Sequence, residues 1–410
     1  MMKSALFVLV GAAPFLLGLA TPAELYGRER AISLFEFGGA SGYAPWGGVV
    51  TDPLGTVFGT TTIGGTGPCS GGAGCGTVFA LSPPAEAKAQ WGYTKLYDFQ
   101  AGQDGGAPAA PLTLDDAGSV YGYSSDGTWG TVFQLRPPSG AGSKWDFQIL
   151  YVFTGQADGN LEAVYSPLVL DGDVLYGVAS GGSSTSCGQF GCGSVFRLTP
   201  GPIGGTWSKK ALFTFPGGSR SGKPSWIAGP DAQGAFYVST ALGHGAVVKI
   251  SPPASGDEWT ESVIARFQGG SDGRDPTNLL LTSDGVLFGL ALGPRAGLVF
   301  QLTPPTGPSA GWTRTTIAAI ADHRYGPNSL ALGADGALIG TVEGDFDFFA
   351  GSVFKLTPPK AGGAWTYTEL WNFNRGPDRN PLNVVRGRGG HLFGVLNGGD
   401  SSDGSIFELR

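Results

Sequence analysis

Apolar and polar residues alternate along most of this chain in short runs, such as Thr-Val-Phe-Gln-Leu at 131–135 and Ser-Val-Phe-Arg-Leu at 194–198. A period of two places alternate side chains on opposite faces of an extended chain and predicts strands. The runs recur. The pattern G-[TSAL]-[VI]-[FV]-x-[LI] begins at Gly76, Gly130, Gly193, Gly245, Gly297, Gly351 and Gly404, at steps of 52 to 63 residues. A second pattern (VFG, VYG, LYG, FYV, LFG, LIG, LFG) precedes each copy, starting at Val57, Val120, Leu175, Phe236, Leu287, Leu338 and Leu392. A third, [LI]-x-x-[FI], begins at Leu96, Leu150, Leu212, Ile264, Ile317 and Leu370, each a few residues after a Trp (Trp91, Trp145, Trp207, Trp259, Trp312, Trp365). Its seventh copy, at Leu34, stands alone near the N-terminus without a preceding Trp.

Each repeat thus holds four strand-like stretches, in the second repeat 111–115, 119–124, 131–136 and 145–153. They are rich in β-branched and aromatic residues, and the breaks between them are Gly, Asp and Pro-Pro turn chemistry. Pro cannot donate to a sheet ladder, so Pro137-Pro138 ends the third strand. No stretch shows helical spacing with caps. Four antiparallel strands repeated seven times predict an all-β, seven-bladed β-propeller occupying residues 31–410 as a single domain. The last repeat stops after its third strand, and the orphan stretch 31–37 matches the missing fourth. It is expected to pair with 405–410 and close the ring, since an open ring leaves two bare sheet edges. An open β-solenoid is the alternative, but its repeats need no complementary terminal fragment.

Composition changes this picture little. Gly (72) and Pro (29) approach a quarter of the 410 residues, near the disordered range, yet 41% are hydrophobic and 11% aromatic. Many short strands joined by many tight turns reconcile the two. Formal net charge is −7 and there is no Lys/Arg cluster, which argues against nucleic acid as a partner. Lys3 followed by the apolar run 5–19, with small residues at 18–23, reads as a cleaved signal peptide over residues 1–23, too short to span a bilayer. No later segment is long and apolar enough to do so. Cys69, Cys75, Cys187 and Cys192 fall as two local pairs, expected as disulfides in an exported chain. Zinc is the rival reading, but it favours closer Cys spacing and more His than the three present. Each bridge would contribute about 2 kcal/mol on the chain-entropy estimate. The longer first and third repeats would project them as two stapled loops flanking blade 2.

The repeat, typified by LYGVASGGSSTSCGQFGCGSVFRLTP and GTVFALSPP, resembles the GloVer tandem-repeat family over nearly all of residues 31–410. Proteins of that family often carry one of several C-terminal surface anchors, and the family has no established activity or catalytic residues to transfer. This sequence ends at Arg410 directly after a repeat. The resemblance therefore implies an extracytoplasmic protein, secreted or periplasmic, expected to be soluble and monomeric; a separate anchoring partner stays open.

In a four-strand meander, the loops from second to third strand and the loops between blades share one face. Here that face carries the cysteines, Gly runs, and Asp104, Asp158, Asp272, Asp322 and Asp378. Five acidic residues near one rim could bind calcium or hold sugar hydroxyls. Asp-Gly is equally ordinary turn chemistry. Asp52, Asp115, Asp171, Asp231, Asp284 and Asp335 lie on the opposite face and read as turn residues. The repeating Phe79, Phe133, Phe196, Phe300, Phe354 and Phe407, and the Trp series, read as core. No nucleophile motif appears, and His244, His323 and His391 are scattered. The leading expectation is a binding or scaffold propeller that recognises a glycan or surface protein. The alternatives are a polysaccharide-active hydrolase or lyase, which needs symmetry-breaking polar residues, and a structural repeat protein of the cell envelope.

Overall fold

The computed structural model describes residues 30–410 apart from 87–88, 126–128, 141–142, 156–157, 162–163, 183–184, 189–190, 203–204, 218–220, 294–296, 308–309, 321–326, 345–349, 361, 374–378 and 399–402. The expected leader 1–23, Asp322, His323 and Asp378 thus lie outside the described residues. Among the described residues, twenty-eight strands form seven four-stranded antiparallel sheets arranged as a seven-bladed β-propeller. Blade 1 runs outward through Val49–Thr51, Val57–Thr61, Thr77–Ser82 and Gly92–Asp98. Blades 2 to 6 repeat the meander over residues 113–152, 169–214, 224–266, 274–320 and 327–372. Blade 7 contains Pro381–Arg386, Leu392–Leu396 and Ser405–Leu409, and takes Ala31–Glu36 as its fourth strand, with Ala31 opposite Leu409 and Glu36 opposite Ser405. The expected ring closure is therefore present.

The second and third signatures acquire a physical reason. The Gly of each second strand faces the Phe of the third (Gly59–Phe79, Gly122–Phe133, Gly177–Phe196, Gly289–Phe300, Gly340–Phe354, Gly394–Phe407). A Cβ on Gly289 would lie 2.4 Å from the Phe300 ring, so Gly is the socket that receives the tip of the ring. Blade 4 departs at both positions together: Val238 faces Val248, filling the same space from two sides. The third signature is a β-bulge. Pairing between third and fourth strands slips one residue in every blade, leaving Leu96, Leu150, Leu212, Ile264, Ile317, Leu370 and, in blade 7, Leu34 as the extra residue. The slip lets the Leu and the Phe three positions later both point inward, which strict alternation forbids. Leu150 and Phe153 are both buried in consequence.

Blades pack through these same residues. Phe79, Phe133, Phe196, Phe300, Phe354 and Phe407 are fully buried, as expected of core. Four of the six Trp that open fourth strands cross to the second strand of the preceding blade: Trp145 meets Phe58, Trp312 meets Tyr237, Trp365 meets Phe288, and Trp91 meets Phe393 across the ring seam, whereas Trp259 meets Phe236 of its own blade. Innermost strands are stitched by side chains. Asn383 accepts from the Val49 N–H and donates to its carbonyl, Ser329 accepts from the Val384 N–H, Asn278 from Leu330, and Ser166 from Ile227. These polar groups near the axis are thereby engaged. Among the described residues no helix is long and apolar enough to cross a membrane.

Candidate functional site

The face formed by the inter-blade loops and the second-to-third-strand loops carries the predicted acidic residues. Asp104, Asp158 and Asp272 hold equivalent places in the loops leaving blades 1, 2 and 4. In each, one carboxylate oxygen accepts the N–H of the residue four positions earlier: Gln100 at 2.9 Å, Thr154 at 3.2 Å and Gln268 at 2.7 Å. The same oxygen accepts the hydroxyl of Tyr97 or Tyr151 in the first two. In the last two, the other oxygen serves the next blade. Lys209 reaches from blade 3 to Asp158 at 2.6 Å and also donates to its carbonyl, while Arg314 reaches from blade 5 to Asp272. Both cations lie over a Phe ring, Lys209 over Phe153 at 4.8 Å and Arg314 over Phe267 at 4.5 Å. Lys209 is only 6% exposed, so this ion pair is an internal clasp between blades.

These carboxylates sit one per blade, already bonded within the protein. Among the described residues no three His, Cys, Asp or Glu side chains gather closely enough to hold a metal ion. The clasp was not foreseen from sequence. Its signal is the residue two positions after the repeating Trp: Tyr93, Phe147, Lys209, Glu261, Arg314 and Tyr367. Phe147 stacks on Tyr97 at 3.7 Å beside Asp104, performing with an aromatic ring what Lys209 performs with an ammonium.

Burial, then the hydrogen bond and negative charge of Asp158, push the Tyr151 hydroxyl up to about 12. Burial likewise pushes Tyr93 and Tyr121 to about 12. An unfolded phenol ionises near 10. A raised folded value means these groups contribute stability that is whole below pH 10 and is lost as pH rises towards 12. In an ultraviolet phenolate titration, Tyr151 is expected to ionise together with unfolding in that window. Asp158→Asn should lower its midpoint; an unchanged midpoint would show that the carboxylate does not act on the phenol.

Cys69–Cys75 and Cys187–Cys192 are disulfides and no free Cys remains. Cys69, Cys75 and Cys192 are buried, the first two in one cluster with Phe99. The bridges are packed closely: a Cβ on Gly217, in the strap leaving blade 3, would collide with cystine sulfur, and a Cβ on Gly67, in the loop of blade 1, would collide with both the Cys75 sulfur and the Phe99 carbonyl of the strap leaving that blade.

Between and beside the two anchored loops lie aromatic residues outside the repeat. Trp46 precedes the first strand of blade 1, Trp129 ends the second-to-third loop of blade 2, and Tyr165 precedes the first strand of blade 3. They are 51%, 45% and 55% exposed. Trp129 is oriented by its surroundings: its ring lies where a Cβ on Gly155 would be, 2.7 Å away, and its carbonyl accepts the Leu161 N–H. A sequence signal existed, since Trp46 and Trp129 belong to neither the Trp series nor the strand signatures.

On the opposite face the turn assignments hold. Asp52, Asp115, Asp231 and Asp335 each accept an N–H of their own turn, Asp284 accepts the hydroxyl of Thr282, and Asp171 ends a two-residue hairpin against Val174. In blade 4, burial opposes ionisation of Asp231, but Lys249, two turn N–H groups and the Tyr237 hydroxyl hold its carboxyl below the usual range. His244 packs over Gly269, and His391 meets Glu408.

No protein-family model matches the sequence, and no curated protein matches it. Solved structures do share the fold. A protein from Bacteroides uniformis provisionally classed as a 6-phosphogluconolactonase is 14% identical, with a TM-score of 0.51, 78% of this chain and 83% of that chain covered. A protein from Bacteroides fragilis with the same provisional class is 16% identical, TM-score 0.51, with 81% and 88% covered. The extracellular domain of a protein of B. thetaiotaomicron, provisionally classed as a one-component system, is 12% identical, TM-score 0.53; 93% of this chain matches 40% of that one. At these identities the likeness shows the propeller and not its activity.

Proposed function

We propose that this chain is a GloVer-type propeller that works outside the cytoplasm as a binding module, recognising a glycan through the aromatic face of blades 1 to 3. The observation that carries the reading is the trio Trp46, Trp129 and Tyr165, exposed on one face of an otherwise regular ring. Flat, amphipathic rings present apolar surface to the C–H faces of sugars while leaving hydroxyls in water. The two disulfides support an oxidising compartment and hold their loops in place before any ligand arrives, which reduces the entropy lost on binding. The stitched inner strands favour a binder over a hydrolase or lyase, because their polar groups are committed to neighbouring blades.

A thermal-shift screen of the mature protein against soluble polysaccharides tests this, since a ligand of the folded state raises Tm. At least one neutral or acidic glycan should raise it. Trp129→Ala should weaken that binding by about 1 kcal/mol, or roughly fivefold, without lowering the unliganded Tm. EDTA should leave both Tm and binding unchanged; a fall in either would place calcium at the rim. A screen with no response, or equal binding by Trp129→Ala and Trp46→Ala, defeats the reading. New reducing ends in the mixture would convert it into turnover.

A further inference from the structure

We infer a second site on the opposite face, a cationic groove between blades 6 and 7 that takes a small ligand bearing a carboxylate or phosphate group. The inference starts from a break in the repeat. The turn between first and second strands carries Asp in blades 1 to 6 (Asp52, Asp115, Asp171, Asp231, Asp284, Asp335), whereas blade 7 reads Arg386-Gly-Arg388-Gly-Gly-His391. The facing position of the third strand changes with it. Lys249 in blade 4 and Lys355 in blade 6 pair with their own turn aspartates at 2.8 and 2.9 Å. In blade 7 that position is Glu408, opposite Phe393 as Lys249 is opposite Tyr237. Glu408 is 2% exposed and contacts His391 Nδ1 at 2.5 Å and Arg410 at 2.7 Å. The polarity of the pair is inverted in this blade alone among these three.

Charge inversion by itself would be internal compensation. Here it leaves one guanidinium over, since Arg410 is paired with Glu408 and Lys355 with Asp335. Glu408 lies below the surface, while Arg386, His391 and Arg410 join Lys355 of the preceding blade around a groove of about 430 Å³. The side-chain carboxylate in the lining is Asp335, already held by Lys355. Arg386 is exposed and makes no side-chain ion pair with any described residue. Gly389 and Gly390 leave the floor open, and Ile339 and Leu370 form an apolar wall. Guanidinium groups bond carboxylate and phosphate oxygens in pairs, and the groove has the volume usual for a small-molecule site.

The test uses the intact mature protein at low ionic strength, with isothermal titration of inorganic phosphate, galacturonate and glucose. Phosphate or galacturonate should bind and glucose should not, and the stronger of the two identifies which oxyanion the groove prefers. Arg386→Gln should weaken the anion about tenfold, the factor for one charge-assisted contact, with Tm unchanged because the side chain is exposed. Trp129→Ala, on the far face, should leave anion binding intact, so this site and the glycan face fail or stand separately. Should Arg386→Gln destabilise the protein, Lys355→Met supplies the same comparison from the other wall. Absence of anion binding, or binding indifferent to both variants, overturns the inference.

Discussion

Gly289→Val is expected to cost about 3 kcal/mol of stability, although it adds only an apolar side chain to a strand that otherwise favours Val. The reason is the Phe300 ring, which occupies the position the new side chain needs. Phe300→Val, conversely, empties part of a fully buried space and should cost about 2 kcal/mol. Made together, the two changes reproduce the Val238–Val248 pair of blade 4, where both side chains are fully buried. The double variant should therefore lie within about 2 kcal/mol of the parent, a coupling of about 3 kcal/mol between directly facing residues. Denaturant midpoints followed by Trp fluorescence would measure all four proteins. If the two costs simply add, the Gly–Phe socket is not a unit and the blade 4 exception has another cause.

The Gly–Phe pair belongs to the part of the fold that is legible in the sequence. The repeat, its four strands and the fourth strand missing from the seventh repeat can be read there because each is a local pattern copied many times, and copying averages out the exceptions. The bulge at Leu96 and its six counterparts cannot, because alternation alone does not say which residue is left unpaired. The Asp rim is legible as positions and not as chemistry. Asp158 and Asp272 look alike in sequence to a metal ligand and to a turn carboxylate, and only the arrival of Lys209 and Arg314 from another blade decides how their oxygens are used. The cysteines are legible as pairs, whereas the burial of their sulfurs depends on Gly67 and Gly217 packing against them. Candidate binding residues follow the inverse rule. Trp46, Trp129, Tyr165 and the Arg386–His391 turn are what the repeat does not explain, so they emerge when the periodic part is subtracted.

Removal of residues 1–37 should abolish the native ring even though it takes only one strand of twenty-eight. That strand is paired along its whole length with Ser405–Leu409, and it carries Phe35, stacked on Tyr93 of blade 1 at 4.3 Å, and is followed by Phe37, packed on Phe79 at 5.1 Å. Its loss strips one edge from blade 7 and also uncovers the flank of blade 1, so the cost falls on both sides of the seam. The exposed edge would present Ile406, Phe407 and Leu409 with an unpaired ladder and recruit the same strand from another molecule. The truncated protein is thus expected to elute as soluble oligomers or to aggregate, with its Tm lowered by far more than any single substitution lowers it. A variant lacking only residues 1–29 should match the parent, since its ladder is complete. Adding a synthetic peptide of residues 30–41 to the freshly diluted truncated chain should restore the monomer, because the peptide supplies the missing ladder and both Phe side chains. A scrambled peptide of the same composition should not. A truncated chain that remains monomeric with the parent Tm would mean that the ring is held by its Trp and Phe blade contacts alone, and that strand exchange at the seam adds nothing to them.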